Sequence, residues 1–331
     1  HLEHNWQTTI SNVRIHGTGA DQSHTGVYMA ETDLTYIDNA INAYNINVQE
    51  VTQDGFRIIN GQGSKFVSCE AGGAPMVNGW YIGDPTTGTV KCQWIHFANC
   101  LGDSATGQAW LFKQGSASEL GQMQLANCWA GNSIHGFYID GCTDTVLTNL
   151  LAIGHARTGV TLNNCIQVTV SNSHFLLNNE DASASYGDIN IQNGSYNMVQ
   201  NNICETNNVA GQKSVIETGS TNSNTIANNS LYQGATIVGA DTYAYKNAGF
   251  RTETRGSATV SAGNTSVTVN HGLAITPPLD AITITPSSGL STASTFYITN
   301  ATSTTFDIGL NTAPAAPVGF VYSINNVRLG Y

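Results

Sequence analysis

Two patterns of apolar and polar positions recur along the chain, and both repeat with the same irregular period. The first is a glycine followed by an alternating segment: GVYM from Gly26, GFRI from Gly55, GWYI from Gly79, GQAW from Gly107, GFYI from Gly136 and GVTL from Gly159, with a weaker copy, GDINI, from Gly187. The intervals are 29, 24, 28, 29, 23 and 28 residues. The second is apolar, x, Asn, apolar, x, apolar, centred on Asn12, Asn45, Asn99, Asn127, Asn149, Asn172, Asn201 and Asn228, with Ser68 filling the missing rung. No stretch sustains the helical spacing of apolar residues. Coils of this length with short strands and variable turns predict a β-solenoid of about eight or nine coils. Stacked amides bonding from rung to rung, at a turn expected to be buried, give the asparagine column its physical reason.

Alternation assigns faces. After each glycine, positions one and three point inward: Val27 and Met29, Phe56 and Ile58, Trp80 and Ile82, Phe137 and Ile139, Val160 and Leu162. Gln108 and Trp110 of the fourth coil fit less well. Position two points outward and reads Tyr28, Arg57, Tyr81, Ala109, Tyr138, Thr161. Past the asparagine column, Cys69, Cys100 and Cys128 point inward. The outward column there reads Arg14, Asn47, Glu70, Leu101, Trp129, Leu151, His174, Ile203 and Ser230, with Ile153 and Leu176 two positions further on. The apolar members, Leu101, Trp129, Leu151, Ile153, Leu176 and Ile203, are an interface in waiting. A homotrimer is the simplest arrangement that covers them, and a long loop of the same chain is the alternative.

Near Arg251 the pattern changes. Cysteine disappears, and short alternating segments such as SATVSAG, TSVTVNHG, STFYITN and VGFVYSINNV follow one another between turns. They predict a small antiparallel sandwich over 251–331 after a solenoid over 1–250.

Composition narrows the picture. Charged residues are 10% of the chain against 40% hydrophobic, so the surface is built from Asn, Ser and Thr rather than charge, and disorder is excluded. The net charge of −11, with 11 basic residues scattered singly, excludes nucleic acid as a partner. No run is long enough to span a membrane, and none reads as a signal peptide, so neither is expected in this sequence. The chain begins almost directly in a strand, so N-terminal truncation is expected, with residues foreign to the natural chain among His1 to His4. The seven cysteines, including Cys92, Cys142, Cys165 and Cys204, form no CxxC pair. They are read as buried free thiols of a protein folded in a reducing compartment, with no metal site.

The rungs TISNVRIHG, GFYIDG, LLAIGHARTGVTLNNC and VTVSNSHF, covering 8–235, resemble bacteriophage tailspikes and related pectin-lyase-like proteins. The segment GSATVSAGNTSVTVNHGLAITPPLDAITITP is similar to C-terminal domains of phage tail fibres and tailspikes. The resemblance implies an all-β fold: a right-handed single-stranded parallel β-helix followed by a small antiparallel β-sandwich of trimerisation or receptor type. It also implies a homotrimer of the virion tail, folded in the host cytoplasm, that binds and cleaves a bacterial surface polysaccharide without a cofactor. Two alternatives stand beside this: a non-catalytic glycan-binding adhesin or tail-fibre module, and a polysaccharide lyase.

Glycoside hydrolysis needs two carboxyl groups, about 5 Å apart for retention and about 6.5–9.5 Å for inversion. Glu31, Asp84 and Asp140 follow the glycine strands of the first, third and fifth coils and are the catalytic candidates. Two rungs separate the first pair by about 9.6 Å. Tyr28, Arg57, Tyr81, Tyr138 and Asp54 are the substrate-binding candidates. Solvated turn positions are the ordinary reading of such acids. A second set, Glu50, Glu70 and Asp103, borders the proposed seam, where rim polarity is the commoner role. For a lyase, Tyr81 and Arg57 supply a base and a cation. Arg157 in HARTG is a candidate substrate contact, although such an arginine more often braces a turn. His96 in QWIHF lies in a core-like strand, and the paired-Asp and Gly-His-Gly motifs of polygalacturonases are missing.

Overall fold

The computed structural model describes residues 8–17, 24–29, 38–59, 61–83, 91–115, 119–205, 212–239, 241–325 and 328–329. The repeats stack as a parallel β-solenoid. Nine strands, most of them led by a glycine, form one all-parallel sheet, from Val27–Met29 through Asp54–Ile58, Asn78–Ile82, Gln108–Lys113, His135–Asp140, Val160–Asn163, Gly187–Gln192 and Lys213–Thr218 to Ala235–Thr236. We call this the glycine sheet. A second, larger sheet holds the asparagine motif, whose strands run in two legs on either side of a bend, as in Gln124–Ala126 and Trp129–Gly131.

The bend explains the asparagines. Asn12, Asn45, Ser68, Asn99, Asn127, Asn149, Asn172, Asn201 and Asn228 all have φ between 51° and 58°. Among residues with a Cβ, asparagine enters this left-handed region most readily. The amides do bond between rungs, Asn127 Nδ2 to Asn99 Oδ1 at 3.3 Å and Asn149 Nδ2 to Asn127 Oδ1 at 3.2 Å. Contrary to the sequence expectation, this ladder is exposed. Backbone conformation, not burial, selects the residue type.

A buried amide ladder stands one position further on. Along the inward column, Cys69, Cys100 and Cys128 give way to Leu150, Ser173, Asn202, Asn229 and Asn247. Asn202 Nδ2 donates to Asn229 Oδ1, and Asn229 Nδ2 to Asn247 Oδ1, both at 3.0 Å. Each asparagine also donates to a carbonyl of the preceding coil: Val170 at 3.0 Å, Val199 at 2.9 Å and Ile226 at 2.8 Å. Every donor therefore has a partner away from water.

Inside the solenoid, aromatic rings stack along the axis at the rung repeat. Phe56 lies 3.9 Å from Trp80, Trp80 4.7 Å from Trp110, and Trp110 5.7 Å from Phe137. Glycine precedes these positions because rungs approach closely there. A Cβ on Gly55 would meet Ala71 Cβ and the Gly79 carbonyl, both at 2.6 Å.

Two rungs depart from the reading by position. In the fourth coil Trp110 pairs with Trp80 and Phe112 with Ile82. Trp110 and Phe112 therefore point inward, the buried Ala109 takes the glycine position, and Leu111, not Ala109, faces outward. A shift of two residues keeps the faces, so burying two large rings sets the register over the glycine at 107. In the seventh coil Ile189 pairs with Val160, which puts Asp188 rather than Gly187 in the glycine column.

The seven cysteines are free and buried. Burial pushes the Cys165 thiol up to about 12, which keeps it un-ionised and unreactive.

After the last solenoid strand, Thr242–Tyr245, two three-stranded antiparallel sheets form a small sandwich. Thr254–Val260, Val318–Ile324 and Ile282–Pro286 make one sheet, and Ser266–Asn270, Thr305–Leu310 and Phe296–Thr299 the other. Their inner faces bury Val260, Phe306, Ile308 and Phe320. Arg328–Leu329 then returns to pair antiparallel with Thr242–Tyr245.

Candidate functional site

The outward column of the glycine sheet runs Tyr28, Arg57, Tyr81, Leu111, Tyr138, Thr161 and Asn190 in continuous register. Neighbours lie about 4.8 Å apart. Arg57 lies over Tyr81, its guanidinium carbon 4.6 Å from the ring centroid. Arg57 Nη1 also faces Asp54 Oδ2 at 3.2 Å. Asp54 is buried, and Asn78 Nδ2 on the next rung donates to its Oδ1 at 2.8 Å. Burial raises the Asp54 pKa above its ordinary value, partly offset by the Asn78 hydrogen bond and the Arg57 charge. Asp54 is therefore a brace beneath Arg57 rather than an exposed contact. Tyr81 is itself buried, while Tyr28, Leu111 and Tyr138 are half-buried.

Tyr138 stands two rungs from Tyr81 and packs against the His135 ring, with centroids 5.2 Å apart. Burial and the nearby Asp140 charge raise its pKa, so its hydroxyl keeps its proton at neutral pH. Asp140 is half-buried, and its Oδ1 accepts from Asn163 Nδ2 at 2.9 Å and Asn164 Nδ2 at 3.1 Å. Lys113 is its backbone register partner on the preceding rung. Glu31 and Asp84, the other two catalytic candidates, lie outside the described residues.

One polar column escaped the sequence reading although a signal was present. A polar residue stands immediately before the glycine position on five successive rungs: Asp54, Asn78, Gln108, His135 and Thr158. Hydrogen bonds link several of them, including the Gln108 amide to Asn78 Oδ1 at 3.2 Å and His135 Nδ1 with Thr158 Oγ1 at 2.7 Å. Tyr186 was also missed. The polar connection after Leu177 brings its ring to 6.2 Å from that of His135.

On the outer face past the bend, the predicted column is reproduced rung for rung. Its first coils form an open polar groove of about 610 Å³ lined by Arg14, His16, Asn47, Gln49, Glu50 and Glu70. Glu70 accepts from Asn47 Nδ2 at 2.8 Å and Gln49 Nε2 at 3.2 Å, while His16 Nε2 lies 3.6 Å from Glu50 Oε2. Glu50 and Glu70 thus share one groove. Asp103 stands apart, accepting from Asn132 Nδ2 at 3.2 Å. Next to Glu70 the column turns apolar at Leu101, and Leu151 and Ile203 are 37% and 44% exposed. Among the described residues no cluster of His, Cys, Asp and Glu converges to hold a metal ion, and no helix is long and apolar enough to cross a membrane.

No family model matches the chain, and no curated protein matches it. Among solved structures it is similar to the tailspike protein gp49 of Acinetobacter baumannii bacteriophage Fri1, a capsular polysaccharide depolymerase. The TM-score is 0.39 at 13% identity, over 96% of this chain and 77% of that chain. The gp54 tailspike of Acinetobacter baumannii bacteriophage AP22, solved with capsular saccharide, gives 0.39 at 10% identity, over 97% of this chain and 66% of that chain. A tailspike double mutant of E. coli bacteriophage HK620, solved with a pentasaccharide, gives 0.36 at 10% identity, over 96% and 76%.

Proposed function

We propose that the protein is a tailspike-type depolymerase that binds a bacterial surface polysaccharide along the outer face of its solenoid and cleaves it. The observation that carries this reading is the registered ladder Tyr28, Arg57, Tyr81, with Arg57 stacked on Tyr81 and braced by buried Asp54. The half-buried Tyr28 ring gives a flat apolar face for a sugar ring, buried Tyr81 backs the guanidinium, and the guanidinium gives donors for hydroxyl or carboxylate oxygens. A stacked and ion-paired arginine loses little freedom on binding, which favours affinity.

For the chemistry we propose acid–base hydrolysis by paired carboxylates, with Glu31, Asp84 and Asp140 as the candidates. The groove shared by Glu50 and Glu70, with Arg14 and His16, supports a second location for the pair. We further propose a homotrimer in the virion tail, its subunits packed through Leu101, Trp129, Leu151, Ile153, Leu176 and Ile203, with 251–331 serving trimerisation or receptor binding. Seven buried free thiols support folding in the host cytoplasm.

The test is incubation with panels of capsular polysaccharide and lipopolysaccharide, measuring released oligosaccharides. Release that is lost in Glu31→Gln or Asp84→Asn supports the first location, and loss only in Glu50→Gln or Glu70→Gln moves the chemistry to the groove. Binding without release on every panel would leave an adhesin and refute the enzyme.

A further inference from the structure

The turns leading into the glycine sheet carry a second arginine–tyrosine stack, four rungs from the first. Arg157 lies over the Tyr186 ring, its guanidinium carbon 5.1 Å from the centroid. Its backbone N–H donates to the Ile134 carbonyl at 2.9 Å, which ties it to the preceding coil. His135 completes the surround, its ring packed edge-on against Tyr138 and Tyr186. Thr158 Oγ1 holds His135 Nδ1 and lies 2.6 Å from Thr161 Oγ1.

The loop that delivers Tyr186 is built rather than loose. Asn179, fully buried with φ of 64°, donates from Nδ2 to the carbonyls of Ser183 and Tyr186, both at 2.8 Å. Its Oδ1 accepts from the Ser183 N–H at 3.1 Å, and Asn190 Nδ2 of the sheet holds the Ser185 carbonyl at 3.1 Å. One buried side chain thus closes the loop on itself, and a second pins it to the strand below.

We infer that Arg157, Tyr186, His135 and Tyr138 form a binding station for a carboxylate-bearing sugar unit, a reading that rests on the glycan-binding function proposed above. Arg157 differs from Arg57 in what it already holds. Arg57 is engaged by a buried carboxylate, whereas the Arg157 side chain is 43% exposed and its ion-pair partner is exposed Asp181, at 3.6 Å from Nε. Among the described residues its two amino groups have no hydrogen-bond partner. A planar fork backed by an aromatic plate matches a carboxylate bidentately. Burial and the Arg157 charge lower the His135 pKa to about 4, so the imidazole is neutral at neutral pH and adds polarity without charge. In a chain of net charge −11, diffuse attraction of anions is absent, so recognition falls to such local devices. The two stacks lie about 19 Å apart along the axis, a span bridged by a polymer and not by one sugar.

The experiment measures binding of methyl glucuronide, methyl galacturonide and N-acetylneuraminic acid methyl glycoside, with methyl glucoside as the neutral control, by saturation-transfer NMR on the full chain. At least one acidic glycoside binds, and Arg157→Ala weakens it about tenfold, the loss of one charged hydrogen-bonding pair. Arg157→Lys, which keeps the charge without the fork, falls between. Asp181→Asn frees the guanidinium and strengthens binding about twofold; an arginine that merely braces the loop predicts no gain. No acidic glycoside bound, or equal binding by wild type, Arg157→Ala and Arg157→Lys, overturns the inference. Polysaccharide binding is measured in parallel. If polysaccharide is bound but Arg157 is silent, only this station is refuted; if none is bound, the broader reading has failed separately.

Discussion

Asp54 and Arg57 meet at 3.2 Å with the carboxylate side chain 3% exposed, so the outward cation of the ladder stands on an inward-facing acid. Removing the acid in Asp54→Ala leaves the Asn78 amide without its acceptor and Arg57 without its brace. The expected cost is about 2 kcal/mol in denaturant unfolding, within the range for orphaned buried polar groups. Polysaccharide affinity, measured by affinity electrophoresis, falls with it. Unchanged affinity in a folded Asp54→Ala protein would show that Arg57 needs no brace.

The buried ladder of Asn202, Asn229 and Asn247 is a sharper stability test than the exposed one. Asn229→Leu strands the Val199 carbonyl and the Asn202 amide and is expected to cost at least about 3 kcal/mol. At the exposed bend, Asn127→Gly is near neutral because glycine accepts its φ of 54°. Asn127→Val places a β-branched residue there and costs about 1–2 kcal/mol. Thermal melts of the three variants check the order. An Asn127→Gly variant as damaged as Asn229→Leu would mean that the exposed amides, not the backbone, hold the bend.

His155 gives a pH signature. Burial lowers its pKa to about 4, and its Nδ1 accepts from the Ser133 N–H at 3.3 Å. The folded state favours the neutral ring, so the unfolded chain binds the extra proton as pH falls. Stability is therefore full above about pH 6.5 and drains away between there and about pH 4. The melting temperature of wild type falls across that window more steeply than that of His155→Gln. Parallel curves would contradict the assignment.

Asp188 acts in the opposite sense. It is buried, its Oδ1 accepts from Asn178 Nδ2 at 2.9 Å, and its Oδ2 has no hydrogen-bond partner among the described residues. Burial raises its pKa well above the ordinary value. The folded state holds the proton more tightly, so stability is greatest below the unfolded pKa of about 3.9 and declines as pH rises towards the folded one. Asp188→Asn removes that decline and is expected to raise the melting temperature at pH 7. A loss of stability at pH 7 in this variant would show that the charged form is supported.

The apolar column makes a prediction about assembly. Trp129→Glu or Leu151→Asp, on adjacent rungs, shifts a trimer to monomer in light scattering without unfolding the solenoid. A wild-type protein that is monomeric at micromolar concentration ends the trimer proposal.

Much of this was legible in particular residues. The spacing of Gly26, Gly55, Gly79, Gly136 and Gly159 marked the sheet, and alternation after each glycine assigned Phe56, Trp80 and Phe137 to the core. Asn12 through Asn228 marked the bend, since few residue types accept its left-handed backbone. Position alone misled at Gly107 and Gly187, where the packing of Trp110 and Ile189 set the register.

The sequence by itself determined the solenoid, the faces of most strand residues outside the coils at Gly107 and Gly187, and the register of the Tyr28, Arg57, Tyr81 ladder. A period of two and a rung repeat are local properties, written directly into residue order. Only the tertiary structure decided what stands over or under those faces. It placed Asp54 beneath Arg57, buried Tyr81, folded the 177–186 connection so that Tyr186 lies under Arg157, and gathered Glu50 and Glu70 into one groove. These relationships join residues that are close in space through loops of free length, and no periodicity in the chain records where such a loop comes to rest.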